Sequence, residues 1–454
     1  MSIENRVPVR LVGDEPMDPR MLSTLNRFHF KTIHLATDAS THLTLSHAAL
    51  PPAASGAFMK RAGSRNKPLP PSMMTGLVEI SEDYIARIIE LYKRYPTANG
   101  NIENTENPNS EIGEPMTDVL ADKFENEIIN ALGITPAPKS SRFSVMLTHD
   151  VDYADRCRRV DIGYGLRFLA NAAKTALSGK AAPFFLAAAA KFLSGRADYY
   201  GFDRIAVTAK NLNFKPVFLL YAKLPDGNGL DMFGEFAHLN PIYDIAEGDA
   251  ARGIASILAF GAEIGIYGSV KSTEDPKLFA EEKKRIESVT GVPVKVVRQR
   301  FMEFLGRISA KQYLDNWIYT DLNCGFARDN GYLCGTTRPF YLTDPSDKKR
   351  HIITVPTVFV DHAPLLYKPK SIGAVYDDVT LLLDNLKRHN GCAAFNFHQR
   401  MLASFPEYMK LYEFVAEKTR EMGGDIITPS AIEAAFPTPK PVPNNFNGRH
   451  AFSS

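Results

Sequence analysis

Short apolar runs alternate with amphipathic stretches through the last two thirds of this 454-residue chain. The runs at 143–148 (FSVMLT), 217–221 (VFLLY), 263–267 (EIGIY), 294–297 (VKVV), 352–355 (IITV) and 393–397 (AAFNF) have the length and residue types of buried strands. Between them, 251–260, 276–289 and 371–388 repeat apolar residues at helical spacing. Strand-helix alternation of this kind predicts parallel pairing through crossover helices. Six or seven such units over about 290 residues favour a closed barrel, whose functional groups gather at the C-terminal ends of its strands.

The first 135 residues have another texture. Two amphipathic helices are expected, at 82–95 (Ile85, Ile88, Ile89 and Tyr92 on one face) and at 118–132, the second stopped by Gly133 and Pro136. The Pro-rich stretch 51–72 reads as a linker and the Asn- and Glu-rich stretch 99–115 as a loop. Residues 436–454 lack periodicity and read as a disordered tail. The fold class is therefore α/β: an α-rich accessory region over 1–135, a distorted (β/α) barrel over 141–435, and the tail.

Composition narrows the function classes. With 53 Lys plus Arg against 51 Asp plus Glu the formal charge is +2, which argues against a nucleic-acid partner held by phosphate neutralisation. The four cysteines show no Cys-x-x-Cys spacing, so neither a zinc ribbon nor a dense disulfide framework is indicated. The N-terminal residues carry charges before any apolar run, unlike a signal peptide, and the longest uncharged apolar run, Ala181–Ala190, is interrupted by Pro183 and too short to span a bilayer. A soluble, cytoplasmic protein without a transmembrane segment is expected.

The first barrel strand runs into Thr148-His149-Asp150-Val151-Asp152. Strand side chains alternate, so Asp150 and Asp152 share a face. Two carboxylates held there repel unless a cation or proton lies between them, an arrangement suited to a metal ligand beside a general base. The plainer reading is a pair of loop aspartates capping the next helix.

The motifs THDVD at 148–152, EIGIYGS at 263–269, EEKKRIE at 281–287, VTG at 289–291, VRQRF at 297–301, GYLCGTTRPF at 331–340 and FNFH at 395–398 together resemble the polysaccharide deacetylase (NodB-homology) superfamily, in particular its longer bacterial members of surface-polysaccharide loci. The resemblance spans about residues 141–430. It implies a distorted (β/α) barrel that uses one divalent metal, often zinc, to hydrolyse an N-acetyl amide on a sugar. Carried over by position, it makes Asp150 the general base, Asp152 a metal ligand, Arg298 the arginine that orients the base, and His398 the general acid, with Arg300 where the family often has proline. His149 is a further metal candidate, and Tyr267, Arg300 and Arg338 are candidate substrate contacts.

One motif departs from the pattern. Where the family supplies two metal ligands as His-x-x-x-His, this chain has Tyr267 and Lys271. A tyrosine hydroxyl titrates near ~10 and a lysine ammonium has no lone pair to give, so the usual centre cannot be assembled from them. Three explanations follow. A metal is held by other groups, with His149, Asp361, His362 and His398 available; Lys271 replaces the metal's charge beside Asp152; or the barrel keeps a glycan-binding cleft without the chemistry. The working function is removal of an N-acyl group from an amino sugar in bacterial cell-surface polysaccharide assembly, and the alternative is a catalytically degenerate homologue that binds a glycan or partner. Glycoside hydrolysis needs a second carboxylic acid opposite Asp150, which no motif supplies. Trp317 and the aromatics of 331–341 are expected in the core.

Overall fold

The computed structural model describes residues 142–176, 181–222, 243–305, 307–333, 335–343 and 351–435, together with Asp122 and the segments 5–11, 32–35, 42–47 and 78–80. The chain divides into two units, one of residues 1–90, 123–139 and 437–454, the other of residues 91–122 and 140–436.

In the first unit, β1 (Asn5–Leu11), β2 (Thr32–Leu35), β3 (His42–His47) and β4 (Val78–Ile80) form a sheet of order β2-β3-β1-β4. β1 and β2 each pair antiparallel with β3, and β1 pairs parallel with β4. These strands lie within the accessory region 1–135. The period-two alternation of Val7, Val9 and Leu11, and of Leu43 and Leu45, is a strand pattern that short polar interruptions obscure. The helices expected at 82–95 and 118–132, the linker, the loop and the tail lie outside the described residues, except Asp122, which is helical.

The second unit is a parallel barrel. Its strands are β5 (Ser144–Val151), β6 (Val217–Leu220), β7 (Glu263–Gly268), β8 (Val296–Gln299), β9 (Thr320–Asp321), β10 (Phe340–Thr343), β11 (His351–Thr354), β12 (Thr357–Val360), β13 (Cys392–Asn396) and β14 (Asp425–Ile426). The order is β10-β11-β9-β8-β7-β6-β5-β13-β12, with β14 also paired to β5. All pairs are parallel except β10–β11. A parallel bridge between Gly325, just past β9, and Thr357, at the start of β12, joins the β12 end of the run to the segment after β9. The Thr357 N–H donates to the Cys324 carbonyl at 2.8 Å across that seam.

Strands buried on both faces read as continuous apolar runs. β5, β6 and β13 are buried at every position, which is why those runs stand out in the sequence. Helices 248–259, 276–290 and 372–389 fall where the periodicity placed them. β9 and β12 have no comparable signal: one is two residues long and the other is four, TVFV, directly after Pro356. Among the described residues no helix is long and apolar enough to cross a membrane.

Trp317 differs from expectation. Its side chain is 70% exposed, on a left-handed residue (φ 58°) leading into β9, so it stands at the entry end of the barrel strands and outside the core. Tyr332 and Phe340 are buried as expected.

Candidate active site at the strand ends

Four strand ends deliver the candidate groups to one place. β5 carries Asp150 and is followed by Asp152; β8 carries Arg298 and is followed by Arg300; β12 is followed by Asp361 and His362; and β13 ends in Asn396, with His398 and Arg400 beyond. The two-residue spacing of Asp150 and Asp152 puts both on one face of an extended chain. Parallel pairing then gathers the pairs at one end of the barrel.

Asp150 is held from two sides. Arg298 Nη1 donates to Oδ1 at 2.6 Å and Asn396 Nδ2 to Oδ2 at 2.7 Å. Arg298 is itself saturated: Nη2 donates to the hydroxyls of Thr148 (3.1 Å) and Thr357 (3.2 Å), and Nε to the Leu322 carbonyl (3.3 Å). The residue thus ties β5, β8, β12 and the segment after β9 together while it orients the carboxylate.

Asp152 is held by a residue the sequence reading did not single out. Arg400 grips it side-on, Nε to Oδ1 at 2.8 Å and Nη2 to Oδ2 at 2.6 Å. Nη2 also lies 2.5 Å from the Tyr164 hydroxyl and 3.2 Å from His362 Nε2, and the guanidinium sits 4.4 Å from the centre of the Tyr164 ring. Burial works against the charge on Asp152, but Arg400 and His398 outweigh it and bring the carboxyl down to about 2. The signal was present as a basic residue two positions beyond His398. Its meaning depended on β5 and β13 being neighbours, since the two residues are 248 apart in the chain.

His398 is anchored twice by Asp361. Its backbone N–H donates to Oδ2 at 2.8 Å, and Nδ1 lies 2.6 Å from Oδ1. Nε2 faces Asp152 Oδ2 at 4.0 Å. Burial lowers the affinity of this imidazole for a proton, yet Asp361 and Asp152 reverse the sign and raise its pKa above the ordinary value. His362 stacks on it, centroids 3.4 Å apart and planes 12° apart, and is pushed the other way by burial, by His398 and by Arg400. One ring therefore favours the proton and its neighbour rejects it.

Other sequence candidates are placed differently. His149 faces away from Asp150 and Asp152, as strand alternation requires. Its Nδ1 lies 3.0 Å from the Phe397 carbonyl, its Nε2 lies 3.1 Å from the Tyr412 hydroxyl, and its ring packs on Phe218. Both nitrogens are engaged, and burial lowers its pKa to about 3, so it is a neutral core histidine and not a metal ligand at this site. Arg338 lies elsewhere, donating from Nε and Nη2 to the His389 carbonyl (2.9 and 2.8 Å) at the C-terminus of helix 372–389, where a cation complements the exposed carbonyls. Lys271 is exposed on a 3-10 turn, and Arg400 takes the place by Asp152 that the sequence reading offered to it. Tyr267 is buried at the end of β7 with Arg300 5.7 Å over its ring; burial raises its hydroxyl, leaving it protonated and a poor ligand.

The donor atoms of Asp152, His362 and His398 lie within 4.8 Å of one another, a spacing that could hold a metal ion. The surrounding chemistry opposes it. Arg400 occupies both oxygens of Asp152 and reaches His362 Nε2, and His398 Nδ1 is engaged by Asp361. In this arrangement the guanidinium, and not a metal ion, neutralises Asp152.

No known family profile matches the chain, and no curated protein matches it. Among solved structures the chain is similar to a protein described as a polysaccharide deacetylase from Mycobacterium smegmatis, at 15% identity over 66% of this chain and 91% of that one, with a TM-score of 0.40. It is also similar to a CE4 family pseudoenzyme from Bacillus anthracis, at 12% identity over 65% and 68%, TM-score 0.29. A GH57 branching enzyme from Thermococcus kodakaraensis matches at 12% identity over 64% and 70%, TM-score 0.29.

Proposed function

We propose that this protein is a barrel of the polysaccharide deacetylase type that binds a carbohydrate at the C-terminal ends of its strands and does not carry out metal-dependent removal of an N-acyl group. The side-on Arg400–Asp152 pair carries this reading. It consumes the one aspartate that the motif resemblance assigns to a metal and leaves a fixed cation where a divalent ion would stand. Tyr153 and Tyr164 pack their rings against Arg400, and Tyr267 against Arg300. The motif resemblance supports a bacterial cell-surface polysaccharide as the polymer concerned. The cysteines, scattered without Cys-x-x-Cys spacing, support a reducing, cytoplasmic setting.

A second reading has its own observation. Asp152, His362 and His398 converge, and the Asp361–His398 pair has the form of an oriented acid-base imidazole. In that reading Arg400 swings aside and the protein is an N-acyl hydrolase.

Metal analysis and acetate release from N-acetylglucosamine oligomers separate the two. The wild type purified with added zinc is expected to hold no stoichiometric metal and to release no acetate, while Asp150→Asn retains glycan binding. Stoichiometric zinc that is lost in Asp152→Asn, together with acetate release that needs it, would overturn the binding reading.

A further inference from the structure

At this cluster of strand ends each carboxylate has a basic partner. Asp150 pairs with Arg298, Asp152 with Arg400, and Asp361 with His398. Arg300 is the exception. Its residue is only 7% exposed, yet Nε and Nη1 have no hydrogen-bond partner among the described residues, and no carboxylate pairs with it there. Buried arginines are ordinarily matched, because leaving charged donors unsatisfied costs more than a neutral bond returns. The rings of Tyr267 and Phe301, 5.7 and 5.4 Å away, offer cation–π attraction but accept none of these N–H bonds.

Its position is fixed at a cost. Phe301 and Met302, directly after Arg300, both adopt left-handed backbone (φ 59° and 57°). Side chains other than glycine rarely do so, at about 1–2 kcal/mol per residue. Strain of this sort clusters at ligand clamps. Arg300 also acts electrostatically on Asp152, Tyr153, Tyr267 and His362, which places it on the same site.

We propose that the carbohydrate bound here carries a carboxylate, as a uronic acid residue does, and that the unmatched N–H groups of Arg300 receive it. This inference rests on the glycan-binding reading and names the class of sugar. Arg300 shares a hydrogen bond with Tyr153, and a singly charged carboxylate matches the Nε and Nη1 positions that have no partner among the described residues. A phosphate monoester, near −2 at neutral pH, would set a further charge against Asp152.

The test is calorimetric titration of the full-length protein with oligogalacturonates and hyaluronan oligosaccharides, each against its carboxyl-reduced form, and with glucose 6-phosphate. The acidic oligomer is expected to bind wild type at least about tenfold more tightly than its reduced form, with salt weakening the difference. Arg300→Gln should bring the ratio close to one, and Arg300→Lys should restore part of it. Equal binding of acidic and reduced oligomers by the wild type would overturn the carboxylate while sparing the glycan reading, a comparison that needs no variant to fold. Binding of neither class would overturn both. Preference for the phosphorylated sugar would overturn the carboxylate in favour of a dianion.

Discussion

Arg400 Nε and Nη2 hold the two oxygens of Asp152 at 2.8 and 2.6 Å, in the side-on geometry that matches a planar guanidinium to a planar carboxylate. Both partners are buried, so the pair stands or falls together. Arg400→Met leaves a buried carboxylate without its cation and is expected to destabilise the fold by about 3–5 kcal/mol, whereas Asp152→Asn with Arg400→Met should recover much of the loss. A double-mutant cycle by urea denaturation measures the coupling. A coupling below about 0.5 kcal/mol would mean the contact is incidental.

Asp361 sets the protonation of His398. Because the folded-state pKa of His398 lies above its ordinary 6.5, the pair's stabilisation is full below pH 6.5 and is lost as pH rises through the folded value. Asp361→Asn removes the main raising influence. NMR titration of the His398 ring should show its pKa falling, and the stability difference between wild type and variant should be larger at pH 5.5 than at pH 8.5. An unchanged titration would disprove the assignment.

Glu282 also favours low pH, by a different route. It is buried on helix 276–290 with Oε2 accepting from the Ser269 N–H at 3.2 Å, just beyond β7. Burial raises its carboxyl to about 7, against weaker lowering by Ser269 and Ser272. Above pH 4.5 the unfolded chain gives up this proton while the folded one keeps it. Stability therefore declines from pH 4.5 to about 7 and then levels, by on the order of 3 kcal/mol. Glu282→Gln should flatten that part of the profile. Denaturant midpoints that fall equally in the two proteins between pH 5 and pH 7.5 would exclude Glu282 as the cause.

Strand alternation had already separated His149 from its neighbours: Asp150 and Asp152 share a face and His149 takes the other, where it meets Phe397 and Tyr412. Residue type alone makes it a candidate ligand, and parity places it on the other face. The departure at Tyr267 and Lys271 was equally legible, and it correctly said that the usual metal pair is missing. What fills the gap was not legible, since Arg400 follows His398 in a stretch that no local pattern marks.

The sequence by itself determined the barrel and the position of its working end. Buried parallel strands must be apolar runs, crossover helices must be amphipathic, and the polar residues that interrupt the runs fall at the strand ends. It did not determine which charge answers which. Asp150 with Arg298, Asp152 with Arg400 and Asp361 with His398 are separated by 148, 248 and 37 positions. The last two pairings exist because sheet order makes neighbours of β5, β13 and β12, and the first because side chains of β5 and β8, with β6 and β7 between them, meet at the same strand ends. Tertiary structure alone decided that three carboxylates are matched and that Nε and Nη1 of Arg300 have no hydrogen-bond partner among the described residues.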